Sequence, residues 1–222
     1  VLDAIGQVLP AAVGVALSPF PIIAVVLVLG TPRARPNGLA FAAGWIVGLG
    51  LVTAVGIQVT GGADDPASDA STVVSWVRVV LGVALIAAAG RKWRSRARPG
   101  EEPATPAWMA SLDGIGPSRA LVLGGALGGV NPKNLALTFA AASSIAAAGL
   151  EGADAGIAGA TYVALASSTV LGAVVVHLVA GTRSAPALAS VKAFMLAHDT
   201  AIMMVVLLVL GAKVLGDGLA GL

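Results

Sequence analysis

The chain has 222 residues, 57% of them hydrophobic and only 11% charged, with a formal net charge of +2. Soluble domains carry about a quarter of their residues as charged side chains, so a chain this poor in charge cannot cover its surface against water. The absence of cysteine excludes disulfides, thiolate metal sites and thiol–disulfide relays. No metal, cofactor or nucleic-acid partner is expected, and no catalytic constellation is visible.

The apolar residues fall in blocks of about 20, the length of a helix crossing a bilayer, and six spans are predicted. The first, about Ala4 to Leu29, opens without a basic segment, unlike a cleaved secretory signal. It is interrupted by "SPFP", Ser18 to Pro21. The second runs from about Gly38 to Val59 and the third from about Thr72 to Ala89, with Arg78 about six residues in. A linker rich in Pro, Gly, Glu and Arg follows, with "RKWRSRAR" (Arg91 to Arg98) as a topology anchor and Trp93 and Trp108 suited to the headgroup level. The fourth span, about Ala120 to Leu150, contains "NPKN", the fifth is about Ala155 to Ala180, and the sixth about Ala193 to Leu215. Asp199 lies about six residues into the sixth, beside His198.

Loop charges orient these spans. Arg33, Arg35, Arg91 to Arg98, Arg119, Arg183 and Lys192 fall in alternate connections, while Asp64, Asp65, Asp69, Glu151 and Asp154 fall in the others. Basic short loops stay in the cytoplasm, which puts both termini outside it, in a multi-pass membrane protein. Residues 1–90 and 119–222 then form two three-helix repeats inverted relative to each other, joined by a cytoplasmic linker, 91–118. "VALSPFPIIAVVL" aligns with "GGVNPKNLALTF", Ser18 on Asn131 and Pro19 on Pro132. Inverted repeats with interrupted helices near the midplane are a common transporter architecture.

Proline removes an N–H donor and crowds the preceding turn, and broken backbone at membrane depth is tolerated only where protein or a water-filled cavity satisfies it. Each break also leaves a helix N-terminus, an electropositive anion site, inside the membrane. Lys133 follows Arg119 by 14 residues, about 21 Å at helical rise, too deep to reach the interface. Its burial costs about 2.5–3.5 kcal/mol, and either a bound anionic group or a buried Asp must offset that. Candidate substrate-binding residues are therefore Ser18, Pro19, Pro21, Asn131, Pro132, Lys133 and Asn134. Arg78, Asp199 and His198 are candidates for the two ends of one pathway; the alternative is that Arg78 and Asp199 snorkel to their own interfaces. "GWIVG" (Gly44 to Gly48) and "GGALGG" (Gly124 to Gly129) offer small faces for close helix packing, and a homodimer is compatible with so thin a bundle.

Taken together, "LPAAVGVALSPFPIIAVVLVLGTPRARPNGLAFAAGWIVG", "SWVRVVLG", "PAWMASLD", "GGVNPKNLALT" and "MMVVLLVLGAKVLGDGL" resemble the actinobacterial GAP family, named for glycopeptidolipid- and sulfolipid-addressing proteins. That family is similar to the lysine-exporter superfamily of six-helix exporters with Pro-containing breaks in the first and fourth helices. The resemblance implies movement of envelope glycolipids or other amphiphiles across the inner membrane, alone or as part of a larger lipid-export machine. A related branch works through paired cysteines, which this chain lacks. A gradient-driven exporter of small solutes and a non-transporting scaffold are the competing readings. The Ala-, Val-, Leu- and Gly-rich interior suits acyl chains better than small solutes, and a scaffold would not need Lys133 at mid-membrane.

Overall fold

In the computed structural model the described residues, 1–61, 69–94 and 114–222, form helices and short turns with no strand among them. Asp64, Asp65, Trp108 and most of the linker lie outside the described residues. The interruptions fall at the prolines. Helix α1 (Leu2–Ala16) gives way to α2 (Pro19–Leu29) with a bend of 53°. Ser18 between them is extended, with φ −70° and ψ 113°, because the ring of a following proline crowds a helical backbone. Pro19 then occupies the first helical turn, where a missing N–H costs nothing.

After α3 (Ala34–Gly61) and α4 (Asp69–Arg94), the same event recurs between α5 (Pro117–Gly129) and α6 (Pro132–Ala147). Asn131 has φ −61° and ψ 119°, nearly the geometry of Ser18. Helices α7 (Gly152–Ala166) and α8 (Ser168–Ala180) part only at Ser167. The hydrogen-bond ladder runs through it, from Ser167 N to Val163 O at 3.0 Å and from Leu171 N to Ser167 O at 2.8 Å. A 3-10 turn at Gly181–Ser184 leads into α9 (Ala185–Ala220). Gly181 there has φ 56°, a left-handed conformation that suits glycine. Helix α9 starts before the sixth predicted span because Ser190 and Lys192 interrupt an apolar run without interrupting a helix.

Ala34–Thr60 and the run Ser168–Ala220 are each long and apolar enough to cross a membrane, and α1 with α2 qualifies when taken as one bent span. Helices α5 and α6 have 13 and 16 residues, each short of the roughly 20 needed. The described residues are helical throughout apart from short turns, and their apolar helices mark the chain as a membrane protein.

Two packing units follow from small residues. Helices α3 and α5 run parallel at backbone contact: a side chain on Gly44 would strike the Leu121 carbonyl, on Gly48 that of Gly125, and on Gly124 that of Phe41. In a bilayer, where hydrophobic burial between helices gains little, such close approach is a main source of cohesion. Helices α4 and α9 run antiparallel through Gly82, Gly211 and Gly218. Phe41, Trp45, Leu49, Leu137 and Tyr162 centre the larger core, around the breaks, while Leu85, Ala89, Leu207 and Val214 join α4 to α9.

Candidate functional site

A helix ended by proline releases carbonyls that must find new donors. At the first break Ser18 N turns to Val15 O at 3.0 Å, which frees Gly14 O, its partner in a regular helix. Lys133 Nζ donates to Gly14 O at 2.7 Å. Thr169 Oγ1, from α8, donates to Ala16 O at 2.6 Å. The cation of the second break thus sits on the C-terminal end of α1, where the helix dipole favours positive charge.

The second break is closed by its own amides. Asn131 caps α6, its Oδ1 accepting from Lys133 N at 3.0 Å. Asn134 Nδ2 donates to Leu127 O at 2.8 Å, a carbonyl in the last turn of α5. Asn134 is fully buried, and its Oδ1 has no hydrogen-bond partner among the described residues. One turn on, Thr138 Oγ1 and Tyr162 Oη are 3.0 Å apart. Ser18, Pro19 and Pro21 are buried, Ser18 with no side-chain capping bond, while Pro132 is exposed. The two motifs are therefore neighbours, joined through Lys133 and Gly14.

The remaining candidates separate. Arg78 Nε donates to Ser143 Oγ at 2.9 Å, anchoring the guanidinium on α6. Asp199 is paired with Lys92 across α4 and α9. Arg78 and Asp199 lie toward opposite ends of the α4–α9 pair, each engaged by a partner from another helix. His198 is exposed, with Nδ1 2.9 Å from Phe194 O and its ring stacked on Phe194 at 4.3 Å. It faces neither. Buried His177 Nδ1 lies 3.2 Å from Ser184 Oγ, at the turn after α8. Among the described residues, no group of three or more His, Asp or Glu side chains is placed to hold a metal.

Sequence reasoning missed a groove between α3 and α7–α8, with a volume of about 970 Å³. Ile46, Thr53, Ile57, Gly156, Val163 and Leu171 are among its lining residues, with Gln58 and Glu151 at one end and Ser167 near the other. From Ile46 to Gln58 it extends about 18 Å at helical rise, slightly more than half of a hydrocarbon core about 30 Å thick. Trp45 Nε1 donates to Ser167 Oγ at 3.1 Å, and Ser167 is two residues from Thr169, the donor to the first break. The groove thus ends beside the breaks. The run Ser167-Ser168-Thr169 in an apolar segment was the available signal.

One family model, described as Sap, sulfolipid-1-addressing protein, matches residues 8–220. Neither a curated protein nor a solved structure gives a match.

Proposed function

The chain belongs to the sulfolipid-1-addressing protein family, and on that premise we propose that it exports an envelope glycolipid or related amphiphile across the inner membrane. The polar headgroup passes the paired helix breaks and an acyl chain lies in the α3/α7–α8 groove. The observation that carries this reading is the contact of Lys133 with a backbone carbonyl. A neutral partner does not cancel a charge on Lys133, whereas an ion pair would.

The helix contacts support an inverted repeat. Mapping α1 onto α5, α2 onto α6, α3 onto α7–α8 and α4 onto α9 turns several contacts into others, α3–α5 into α7–α1, α3–α6 into α8–α2, and α1–α6 into α5–α2, whereas the packing of α2 on α9 has no counterpart of similar extent between α6 and α4. Helix α4 against α9 maps onto itself. The matching geometry of Ser18 and Asn131 fits the same relation. Residues 1–90 and 119–222 are the repeats in this reading, six crossings with both termini extracytoplasmic, and the breaks lie near the axis relating them. Asp199 with Lys92 closes the cytoplasmic end of the α4–α9 pair.

The test is a direct one. Protein purified in mild detergent is examined by native mass spectrometry for retained amphiphiles, and reconstituted protein is assayed for moving them between leaflets. The reading requires a bound amphiphile with an acidic headgroup, weakened in Lys133→Met, and net transfer by the parent. A protein that binds such lipids but moves none is an accessory factor, and the export reading falls.

A further inference from the structure

A second cation is built into the membrane part of the fold, and no carboxylate among the described residues pairs with it. Arg78 lies nine residues after Asp69 on α4, about 13 Å along the helix. Ionisable groups at such depth almost always face protein or a water-filled cavity. Its Nε and Nη2 point at Ser143 Oγ, and Nη2 also lies 3.5 Å from Ser143 O. A guanidinium carries five N–H donors in a rigid fork. Nη1 donates to nothing among the described residues.

Arg78 opens onto a cavity of about 450 Å³ between α1, α4, α6 and α9. Gln7, Ser144, Lys213 and Asp217 supply its other polar side chains, and Ala147 and Val214 part of its apolar wall. Lys213 Nζ holds Asp217 Oδ2 at 2.6 Å, so the one carboxylate among the described residues that line the cavity is already engaged. Two cations against one carboxylate leave a net positive charge in a small concave space. The geometry points to a binding site for a tetrahedral oxyanion, a sulfate or phosphate group. The fork of Arg78 would grip it from one wall, since guanidinium geometry matches such oxygens, and Lys213 would swing from Asp217 to meet it.

Its place deepens the export reading. Ser143, which anchors Arg78, lies ten residues along α6 from Lys133, about 15 Å. One helix therefore presents a cation at its start and positions another at its end, a course for an anionic headgroup leaving the breaks. Binding at the Arg78 cavity does not itself require transport, so the two readings fail separately.

The experiment uses the full chain in nanodiscs of zwitterionic phosphatidylcholine. Melting is followed with sodium sulfate against sodium chloride at equal ionic strength, and again in nanodiscs containing phosphatidylglycerol. A shift with free sulfate identifies a soluble oxyanion as ligand, and a shift only with phosphatidylglycerol identifies a lipid headgroup. A sulfate shift supports the site provided Arg78→Gln abolishes it and Lys133→Met retains it; a phosphatidylglycerol shift supports it provided Arg78→Gln reduces it both in the parent and in a Lys133→Met background. Lys213→Gln should weaken the response about tenfold, as expected for one charged hydrogen bond. Asp217→Asn should strengthen it by releasing Lys213. These two variants decide the matter even if Arg78→Gln does not fold. No shift with either ligand, a shift unaffected by Arg78→Gln, or weaker binding in Asp217→Asn overturns the proposal.

Discussion

Replacing Lys133 by Met tests whether that cation serves a ligand or the fold. In the ligand-free protein two terms oppose. The substitution relieves an insertion cost of about 2.5–3.5 kcal/mol for a cation at mid-membrane. It also removes the hydrogen bond to Gly14 O, a charge-assisted bond of the kind that contributes about 1.5–3 kcal/mol. The terms nearly cancel, so lipid-free Lys133→Met should melt within a few degrees of the parent. Anionic amphiphile at 100 times its dissociation constant adds about 2.7 kcal/mol to a protein that binds it. With about 2–4 °C per kcal/mol for a chain of this size, the parent should gain roughly 5–11 °C and Lys133→Met much less. The assay is a melting curve in detergent with titrated lipid. If Lys133 were instead half of a buried pair with Asp199, its loss would strand the carboxylate at about 3–5 kcal/mol. A Lys133→Met protein that melts far earlier without lipid, or that keeps the full lipid shift, refutes the reasoning.

Four further outcomes are expected. Gly44→Ala and Gly48→Ala, whose new methyl groups would meet the backbone of α5, should each cost about 1–3 kcal/mol as overpacking; Gly50→Ala, with nothing within 4 Å, should be neutral or stabilising by up to about 1 kcal/mol. Asn134→Leu strips Leu127 O of its side-chain donor and should lower stability by about 1–3 kcal/mol, read by thermal melting. Asp199→Asn breaks a part-exposed pair, so it should cost about 1 kcal/mol or less while reducing export; unchanged export would remove Asp199 from the pathway. A reporter fused after Leu222 should appear outside the cytoplasm, and a cytoplasmic signal would overturn the inverted repeat.

What the sequence disclosed was whatever a single residue enforces on its own neighbours. Pro19 and Pro132 break their helices wherever those helices pack, so both interruptions were legible to the residue. The glycines of "GWIVG" and "GGALGG" announced close packing, but not that α3 and α5 would lie against each other in parallel. The partners of the freed carbonyls were hidden for a different reason. Thr169 reaches Ala16 from 153 residues away, Trp45 reaches Ser167 across 122, and Lys133 reaches Gly14 across 119. No local pattern encodes such pairs, because any donor of suitable length on a packed neighbour satisfies the same carbonyl. The groove was invisible likewise, since it is space between α3 and α7–α8 and not a property of either. Lys133 shows why this matters for function. Read from the sequence, either a carboxylate or an anionic ligand could offset its burial, since each supplies the missing negative charge. The structure gives it a carbonyl, which satisfies one donor and neutralises nothing, and Asp199 is taken by Lys92. In the function proposed above, the charge left over is what an anionic headgroup would meet at the break.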